Sequence, residues 1–119
     1  VCSARRDTKA NAPLPMDGLA GHVRGLLDEI QANLLARALA FRESHTSTAT
    51  TWAEFTATME GRPGFVISPW CETDECEAAI KAETQATIRN IPFGSETPSG
   101  SCVKCGKPAV VNAWFAKAY

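Results

Sequence analysis

The feature that most constrains this chain is a set of four cysteines that form two close pairs far apart in the sequence. The pairs have the spacings C-x4-C and C-x2-C-G, with 25 residues between them, and consist of Cys71, Cys76, Cys102 and Cys105. One tetrahedral metal ion needs such an arrangement, because each pair can approach it from one side. Zinc favours four thiolates in closed structural sites, so the spacing predicts a zinc site.

Two disulfides or four reduced core thiols are the alternatives to a metal site. Disulfide-stabilised secreted domains are usually small and short of core, whereas this chain has 119 residues, of which 45% are hydrophobic. The sequence shows no signal peptide and no apolar run of membrane length. We therefore favour zinc, and we expect the fifth cysteine, Cys2, to be a half-buried strand residue rather than a ligand.

The formal net charge of −1 gives no general attraction to nucleic acid. Arg5, Arg6 and Lys9 form the only local basic excess, and we expect them to be solvated, with phosphate binding as the alternative. Because Val1 is not an initiator methionine and the first dozen residues do not begin a self-contained element, we expect a fragment of a longer protein.

Hydrophobic spacing and capping signals predict three helices and three main strands. Asp17 and Thr73 are candidate N-caps, and Thr51 with Glu54 forms a capping box. Residues 44–50 are expected to form a polar turn. The helices are predicted over residues 17–44, 52–60 and 74–84, and the strands over 65–70, 86–93 and 110–116. This order predicts an α/β fold: a two-layer sandwich in which helices cover a small mixed sheet that carries the four-cysteine zinc site.

The predicted metal site is closed, since four cysteines leave no coordination position for a catalytic water. The zinc would therefore be structural, and its binding free energy would become folding free energy. The sequence contains no P-loop, no GxGxxG and no suggestive serine–histidine pairing. We expect the acidic residues beside the first cysteine pair to be solvated rather than catalytic: Glu72, Asp74, Glu75 and Glu77.

Several motifs together resemble the C-terminal zinc-binding domain of prolyl-tRNA synthetase, of the archaeal/eukaryotic-like type. From Phe65 the chain reads F-x4-W-C-x4-C-E-x2-I-K-x-E-T-x-A-T-I-R-x-I-P-F, then C-x2-C-G-K, and it ends F-A-K-A-Y at Tyr119. Upstream, Arg5-Arg6-Asp7-Thr8 resembles the end of the family's anticodon-binding domain, and Ile30-Gln31 with Leu34-Leu35 resembles its long linking helix. A generic zinc ribbon would share only the cysteines.

The resemblance implies a parent enzyme of class II that uses ATP and magnesium to attach proline to tRNA(Pro). Residues 1–16 would be the end of the anticodon-binding domain with a linker, and residues 17–119 the zinc-binding domain. The catalytic and anticodon-binding domains would lie upstream in the same chain of a cytoplasmic homodimer with no membrane partner. In members of this type the terminal tyrosine carboxylate points towards the active site, which gives that role to Tyr119.

Two other functions are compatible with the cysteines. An independent zinc-ribbon-like module that binds protein or nucleic acid would carry basic and exposed aromatic residues around the metal, whereas the first cysteine pair here has acidic neighbours. A small catalytic zinc protein is possible only if one of the four cysteines is not a ligand.

Overall fold

The computed structural model describes residues 1–61 and 64–118. It divides into two compact units, Val1–Glu43 and Ser44–Tyr119. The helices are α1 (Leu19–Ser44), α2 (Trp52–Gly61) and α3 (Asp74–Thr84). The strands are β1 (Cys2–Ala4), β2 (Asn11–Pro13), β3 (Thr46–Thr48), β4 (Phe65–Trp70), β5 (Ala86–Asn90) and β6 (Val111–Lys117).

The first unit is a two-stranded hairpin followed by the long helix. β1 and β2 pair antiparallel, with Cys2 opposite Pro13, so the expected strand at Cys2 is present and pairs with residues 11–13, which were not expected to form a strand. Helix α1 begins at Leu19, two residues after the predicted start, because Gly18 adopts a positive φ of 65° and separates Asp17 from the first turn. Cys2 lies in a strand as predicted, but it is exposed rather than half-buried.

The second unit contains a four-stranded mixed sheet in the order β3-β4-β6-β5. β3 runs parallel to β4, whereas β4 with β6 and β6 with β5 are antiparallel. The prediction of a polar turn over 44–50 was wrong in part, since Thr46–Thr48 forms the edge strand beside β4. The predicted strand over 86–93 ends at Asn90, after a register irregularity between Ile88 and Asn90.

The core of this unit lies between one face of the sheet and helices α2 and α3. Val66, Ser68 and Trp70 alternate inward along β4, because successive strand residues point to opposite faces. Phe115 and Ala113 lie opposite Val66 and Ser68 in the register with β6. The helices contribute their own buried residues to the same cluster: Phe55, Met59, Cys76 and Ile80. The predicted two-layer α/β architecture is confirmed.

The helix ends of this unit follow local sequence chemistry. Thr51 and Glu54 form the predicted capping box: the Glu54 N–H donates to Thr51 Oγ1 at 3.3 Å, and the Thr51 N–H donates to Glu54 Oε2 at 3.2 Å. Gln85 caps the C-terminus of helix α3, where it adopts the left-handed conformation with φ of 62° and donates its N–H to the Lys81 carbonyl. These caps fix the start of α2 and the end of α3.

None of the helices in the described ranges combines the length and the hydropathy required to cross a membrane.

Candidate metal centre

The fold brings the four predicted ligands together. The Sγ atoms of Cys71, Cys76, Cys102 and Cys105 all lie within 4.8 Å of one another. Two sulfur–sulfur contacts join the halves of the motif: Cys76 to Cys102 at 3.5 Å, and Cys71 to Cys105 at 3.5 Å. The first three residues are buried, and Cys105 is exposed. The two cysteine pairs therefore meet at one point although 25 residues separate them.

The first pair is positioned by the junction of β4 and α3. Cys71 directly follows the last residue of β4, and Glu72 turns the chain with a positive φ of 55°. Thr73 occupies the predicted N-cap position in extended conformation, but its side chain makes no capping hydrogen bond. Its Oγ1 instead lies 3.3 Å from Cys71 Sγ. Cys76 follows in the first turn of α3, where the helix dipole favours negative charge.

The second pair lies on a tight turn that the backbone closes by itself. The Gly106 N–H donates to the Cys102 carbonyl at 3.1 Å, and the Cys102 N–H donates to the Lys107 carbonyl at 2.7 Å. Gly106 adopts a positive φ of 71°, which glycine accommodates without strain. The Val103 N–H donates to the Pro69 carbonyl at 2.9 Å, which fastens the turn to the end of β4 beside the first pair.

The arrangement fits a tetrahedral thiolate site. Zn–S bonds of about 2.3 Å with tetrahedral angles place sulfurs about 3.8 Å apart, so shifts of about 1 Å would suffice to form the site. A disulfide requires an S–S distance of about 2.04 Å, and all five cysteines are free. The cluster is thus a thiol site with the donor set and spacing of a metal centre, rather than a pair of disulfides.

Three of the clustered thiols have shifted pKa values, because they are close to one another and partly removed from water. Burial raises the pKa of Cys71, but hydrogen bonds with Thr73 and with the Cys105 and Cys102 thiols outweigh it and bring the pKa to about 7. Burial, with the contact to Cys102, raises the pKa of Cys76. For Cys105 the Lys107 N–H lowers the pKa, but burial and the neighbouring thiols raise it overall. Without a cation, the negative charge of one thiolate therefore disfavours deprotonation of the neighbouring thiols.

A cation–π contact supports the second pair. Lys104 lies between its two cysteines, and its Nζ is 3.9 Å from the centroid of the Trp52 ring and 2.6 Å from Glu83 Oε1. Trp52 stacks on Phe55 at 5.3 Å, and Phe55 meets Phe115 edge-on at 5.2 Å. The cysteine turn is thus connected through α2 to the core. No local spacing in the sequence relates Lys104 to Trp52, so this link is not predictable from the sequence alone.

Among the described residues, the cysteine cluster is the one group of histidine, cysteine and acidic side chains with metal-binding spacing. Glu72, Asp74 and Glu75 are exposed, as expected for solvated acids, and Glu77 is half-buried. Cys2 lies outside the cluster. Tyr119, which the resemblance placed near the parent's active site, falls outside the described residues.

Comparison with known proteins identifies the family. The family model described as "Prolyl-tRNA synthetase, C-terminal" matches residues 52–119. A proline–tRNA ligase from Cytophaga hutchinsonii is 42% identical over 116 residues, which cover 98% of this chain and 24% of the relative. A proline–tRNA ligase from Chlorobaculum tepidum is 47% identical over 124 residues, which cover 98% of this chain and 25% of the relative.

The fold has a solved counterpart in a crystal structure of prolyl-tRNA synthetase from Cryptosporidium parvum, complexed with halofuginone and AMPPNP. The TM-score is 0.87 at 27% identity, and the match covers 99% of this chain and 25% of that one. The chain therefore spans about a quarter of the length of the relatives it matches. Since the family model covers more than half of its residues, including all four clustered cysteines, the chain belongs to the prolyl-tRNA synthetase C-terminal family.

Proposed function

We propose that this chain is the C-terminal domain of a prolyl-tRNA synthetase of the archaeal/eukaryotic-like type. The observation that carries the proposal is the family match over residues 52–119, together with 42–47% identity to proline–tRNA ligases across 98% of the chain. The parent enzyme would use ATP and magnesium to attach proline to tRNA(Pro). Its catalytic and anticodon-binding domains would precede this chain in a cytoplasmic homodimer.

We propose zinc as the metal held by Cys71, Cys76, Cys102 and Cys105. The support is the donor set: four sulfurs within 4.8 Å of one another suit a soft, tetrahedral divalent ion. Zinc would supply a structural crosslink, since four thiolates fill its coordination sphere. The chain's own residues bring the sulfurs together, as the end of β4 and the first turn of α3 hold one pair and the turn closed at Gly106 holds the other.

The assignment of domains along the chain is also part of the proposal. By resemblance, residues 1–16 are the end of the anticodon-binding domain with its linker, and residues 17–119 are the zinc-binding domain. The boundary between the two compact units lies elsewhere in the sequence, between Glu43 and Ser44. The contact pattern thus groups α1 with the β1–β2 hairpin, and the cysteines with the four-stranded sheet.

Tyr119 is the residue we propose to lie closest to the chemistry, with its terminal carboxylate near the parent's active site. Strand β6 ends at Lys117, which is two residues before Tyr119 in the sequence. Deleting Tyr119 from the complete enzyme should lower proline-dependent ATP–pyrophosphate exchange while zinc content stays constant. The neighbouring substitution Ala118→Ser serves as a control, and unchanged exchange kinetics after the deletion would remove this role.

The experiment that tests the function uses the complete polypeptide that carries this sequence. We expect proline-dependent ATP–pyrophosphate exchange and prolylation of tRNA(Pro) by that polypeptide, and neither activity from residues 1–119 alone. Exchange that depends on a different amino acid, or the absence of a class II catalytic core from the polypeptide, would refute the proposed function.

A further inference from the structure

The four clustered thiols differ in their access to solvent. Cys105 is exposed, whereas the other three are buried, with exposed fractions between 4% and 7%. The difference follows from the turn, because the Val103 N–H fastens its first half to the Pro69 carbonyl, while the chain after Cys105 continues through the exposed Gly106. A small reagent dissolved in water therefore reaches the cluster first at Cys105.

Cys105 also has a reaction partner in the other half of the motif. Its Sγ lies 3.5 Å from Cys71 Sγ, although the two residues are 34 positions apart. A disulfide bond is about 2.04 Å long, so a relative shift of about 1.5 Å would bring the two sulfurs to bonding distance. Cys71 directly follows β4, and such a bond would therefore join the end of that strand to the cysteine turn.

We propose that Cys105 is a modification site for hydrogen peroxide, and that Cys71 is the thiol that resolves the oxidised sulfur into a disulfide. The inference rests on the proposed zinc site, because metal ligation keeps the sulfurs deprotonated and the thiolate is the nucleophilic form of cysteine. Four thiolates fill the coordination sphere of zinc, so the peroxide reacts with an accessible sulfur rather than at the metal.

The reaction is a two-electron oxidation in two steps. The Cys105 sulfur attacks one peroxide oxygen, the O–O bond breaks and hydroxide leaves, which produces a sulfenic acid. The Cys71 sulfur then attacks the Cys105 sulfur, the S–S bond forms, the S–O bond breaks and a second hydroxide leaves. The two sulfurs together lose two electrons, the peroxide gains them, and two protons from the solvent convert both hydroxides to water.

The disulfide removes two of the four ligands. Cys76 and Cys102 alone do not complete a tetrahedral site, so the metal is released. Because the new bond connects the same two segments that the metal connects, the oxidised chain keeps a crosslink there. A disulfide within either pair would close a loop of only four or six residues, which constrains the unfolded chain less and leaves the two halves of the motif unconnected.

Cys2 provides an internal comparison. It is also exposed, but it lies outside the cluster. Its oxidation should therefore leave the metal in place, and Cys2→Ser should release zinc on treatment with peroxide as the wild type does.

The test treats the zinc-loaded complete polypeptide with one equivalent of hydrogen peroxide. A metallochromic indicator follows zinc release, dimedone traps sulfenic acid, and peptide mass spectrometry locates the dimedone adduct and the disulfide. Among the four clustered cysteines, we expect dimedone on Cys105 in at least about tenfold excess over each of the others. One zinc should be released per Cys71–Cys105 disulfide formed, and dithiothreitol with added zinc should restore the original zinc content.

Stability supplies a second measurement on the same sample. The oxidised polypeptide should unfold at a higher urea concentration than reduced polypeptide from which a chelator has removed the metal, because only the former retains a crosslink between the two segments. Equal urea midpoints of the two forms would show that the disulfide does not bridge the motif.

Three other results would overturn the proposal. They are dimedone first on a buried cysteine of the cluster, a disulfide within either close pair, and zinc that stays bound while Cys2 is fully oxidised. A polypeptide purified without zinc would refute only the zinc proposal, because dimedone labelling and disulfide mapping still measure the modification of Cys105. One bound zinc that peroxide does not release would refute only the modification.

Discussion

Lys104 Nζ lies 3.9 Å from the centroid of the Trp52 ring, in the range of a cation–π interaction. The same ammonium group is 2.6 Å from Glu83 Oε1, but Glu83 is half exposed, so this ion pair contributes little. Lys104 is one residue before Cys105, and Trp52 begins α2. The contact therefore joins the second cysteine pair to the helix that supplies Phe55 to the core.

Replacing Lys104 by methionine should lower the free energy of unfolding by about 1 kcal/mol through loss of the cation–π contact. Bound metal should stay at its original stoichiometry, because both flanking cysteines remain. Urea unfolding of the metal-loaded protein measures the change. Lys107→Met is the matched control, since Lys107 is exposed in the same loop. A double-mutant cycle with Trp52→Leu that shows no coupling would contradict the assignment.

Removal of one clustered thiol should abolish metal binding. We expect Cys71→Ser or Cys102→Ser to lose zinc and to unfold the half of the chain over 64–119, because metal-binding free energy contributes directly to folding. Cys2→Ser should retain both zinc and fold, since Cys2 lies outside the cluster. Elemental analysis and circular dichroism measure the two properties.

One zinc per chain in the wild type is the expected stoichiometry. Equal loss of zinc from Cys2→Ser would refute the ligand assignment. A wild-type protein without a bound transition metal would refute the zinc proposal itself.

The parts of this fold that the sequence made predictable depend on neighbours in the chain. The capping box at Thr51 and Glu54 spans four residues, and both of its hydrogen bonds form. The positive φ of Gly106 follows similarly from a tight turn directly after Cys105. The cysteine cluster joins distant segments, but the spacing within each pair is local and the shared chemistry of thiols indicates the rest.

The parts that were missed depend on pairing partners elsewhere in the fold. Thr46–Thr48 is polar and short, and it becomes a strand because β4 provides a parallel edge, with Ser47 opposite Val66. Asp17 is a good N-cap by residue type, but Gly18 turns the chain before the helix begins. The position of Lys104 over Trp52 joins residues 52 positions apart, and no periodicity predicts it.

The capping box should make α2 sensitive to acid. Hydrogen bonds from the N–H groups of Thr50 and Thr51 lower the pKa of Glu54 below its usual 4.5. A carboxylate with a lowered folded-state pKa contributes stability that is complete above the unfolded pKa and is lost as pH falls through the folded pKa. Glu54→Gln should therefore lower stability at pH 7, and the deficit should shrink as pH falls below about 4.

Thr51→Ala removes the hydroxyl that accepts from the Glu54 N–H and should cost about 1 kcal/mol. Glu60→Gln, at an exposed position later in the same helix, is the control for loss of charge. Thermal unfolding between pH 3 and pH 7 measures these effects. A deficit of Glu54→Gln that stays constant across this range would contradict the role of the carboxylate.

Asp7 should be the acid on which the hairpin and α1 depend most. The residue as a whole is half-buried, but its side chain is shielded from solvent and accepts two bonds from the Arg5 guanidinium, at 3.1 and 2.9 Å, as well as one from Asn33. The hydrogen bonds from Arg5, followed by that from Asn33, hold the pKa of Asp7 well below its usual range. Its contribution is therefore complete above the unfolded pKa and is lost only in strong acid.

Asp7→Asn should accelerate amide exchange in the hairpin far more than Glu29→Gln, because Glu29 is 65% exposed. Carboxyl titration followed by NMR should show no transition of Asp7 near pH 4, the usual range for aspartate. A normal Asp7 titration, or equal effects of the two substitutions, would show that the bidentate pair with Arg5 does not stabilise this unit.

Ser68 offers a site where removal of a polar group should increase stability. Its side chain points into the core of the second unit and is 1% exposed, and its Oγ has no hydrogen-bond partner in the described part of the chain. A buried hydroxyl without a partner costs about 1–3 kcal/mol of desolvation. Ser68→Ala removes this cost with little loss of volume, so we expect a gain of about 1 kcal/mol in the free energy of unfolding.

Thr84→Ala is the contrasting control, because the Thr84 Oγ1 donates to the Ile80 carbonyl at 2.7 Å and accepts from the Ala86 N–H at 3.2 Å. It should destabilise the protein, and urea unfolding of the metal-loaded proteins measures both changes. A loss of stability in Ser68→Ala as large as that in Thr84→Ala would mean that the Ser68 hydroxyl is satisfied in solution.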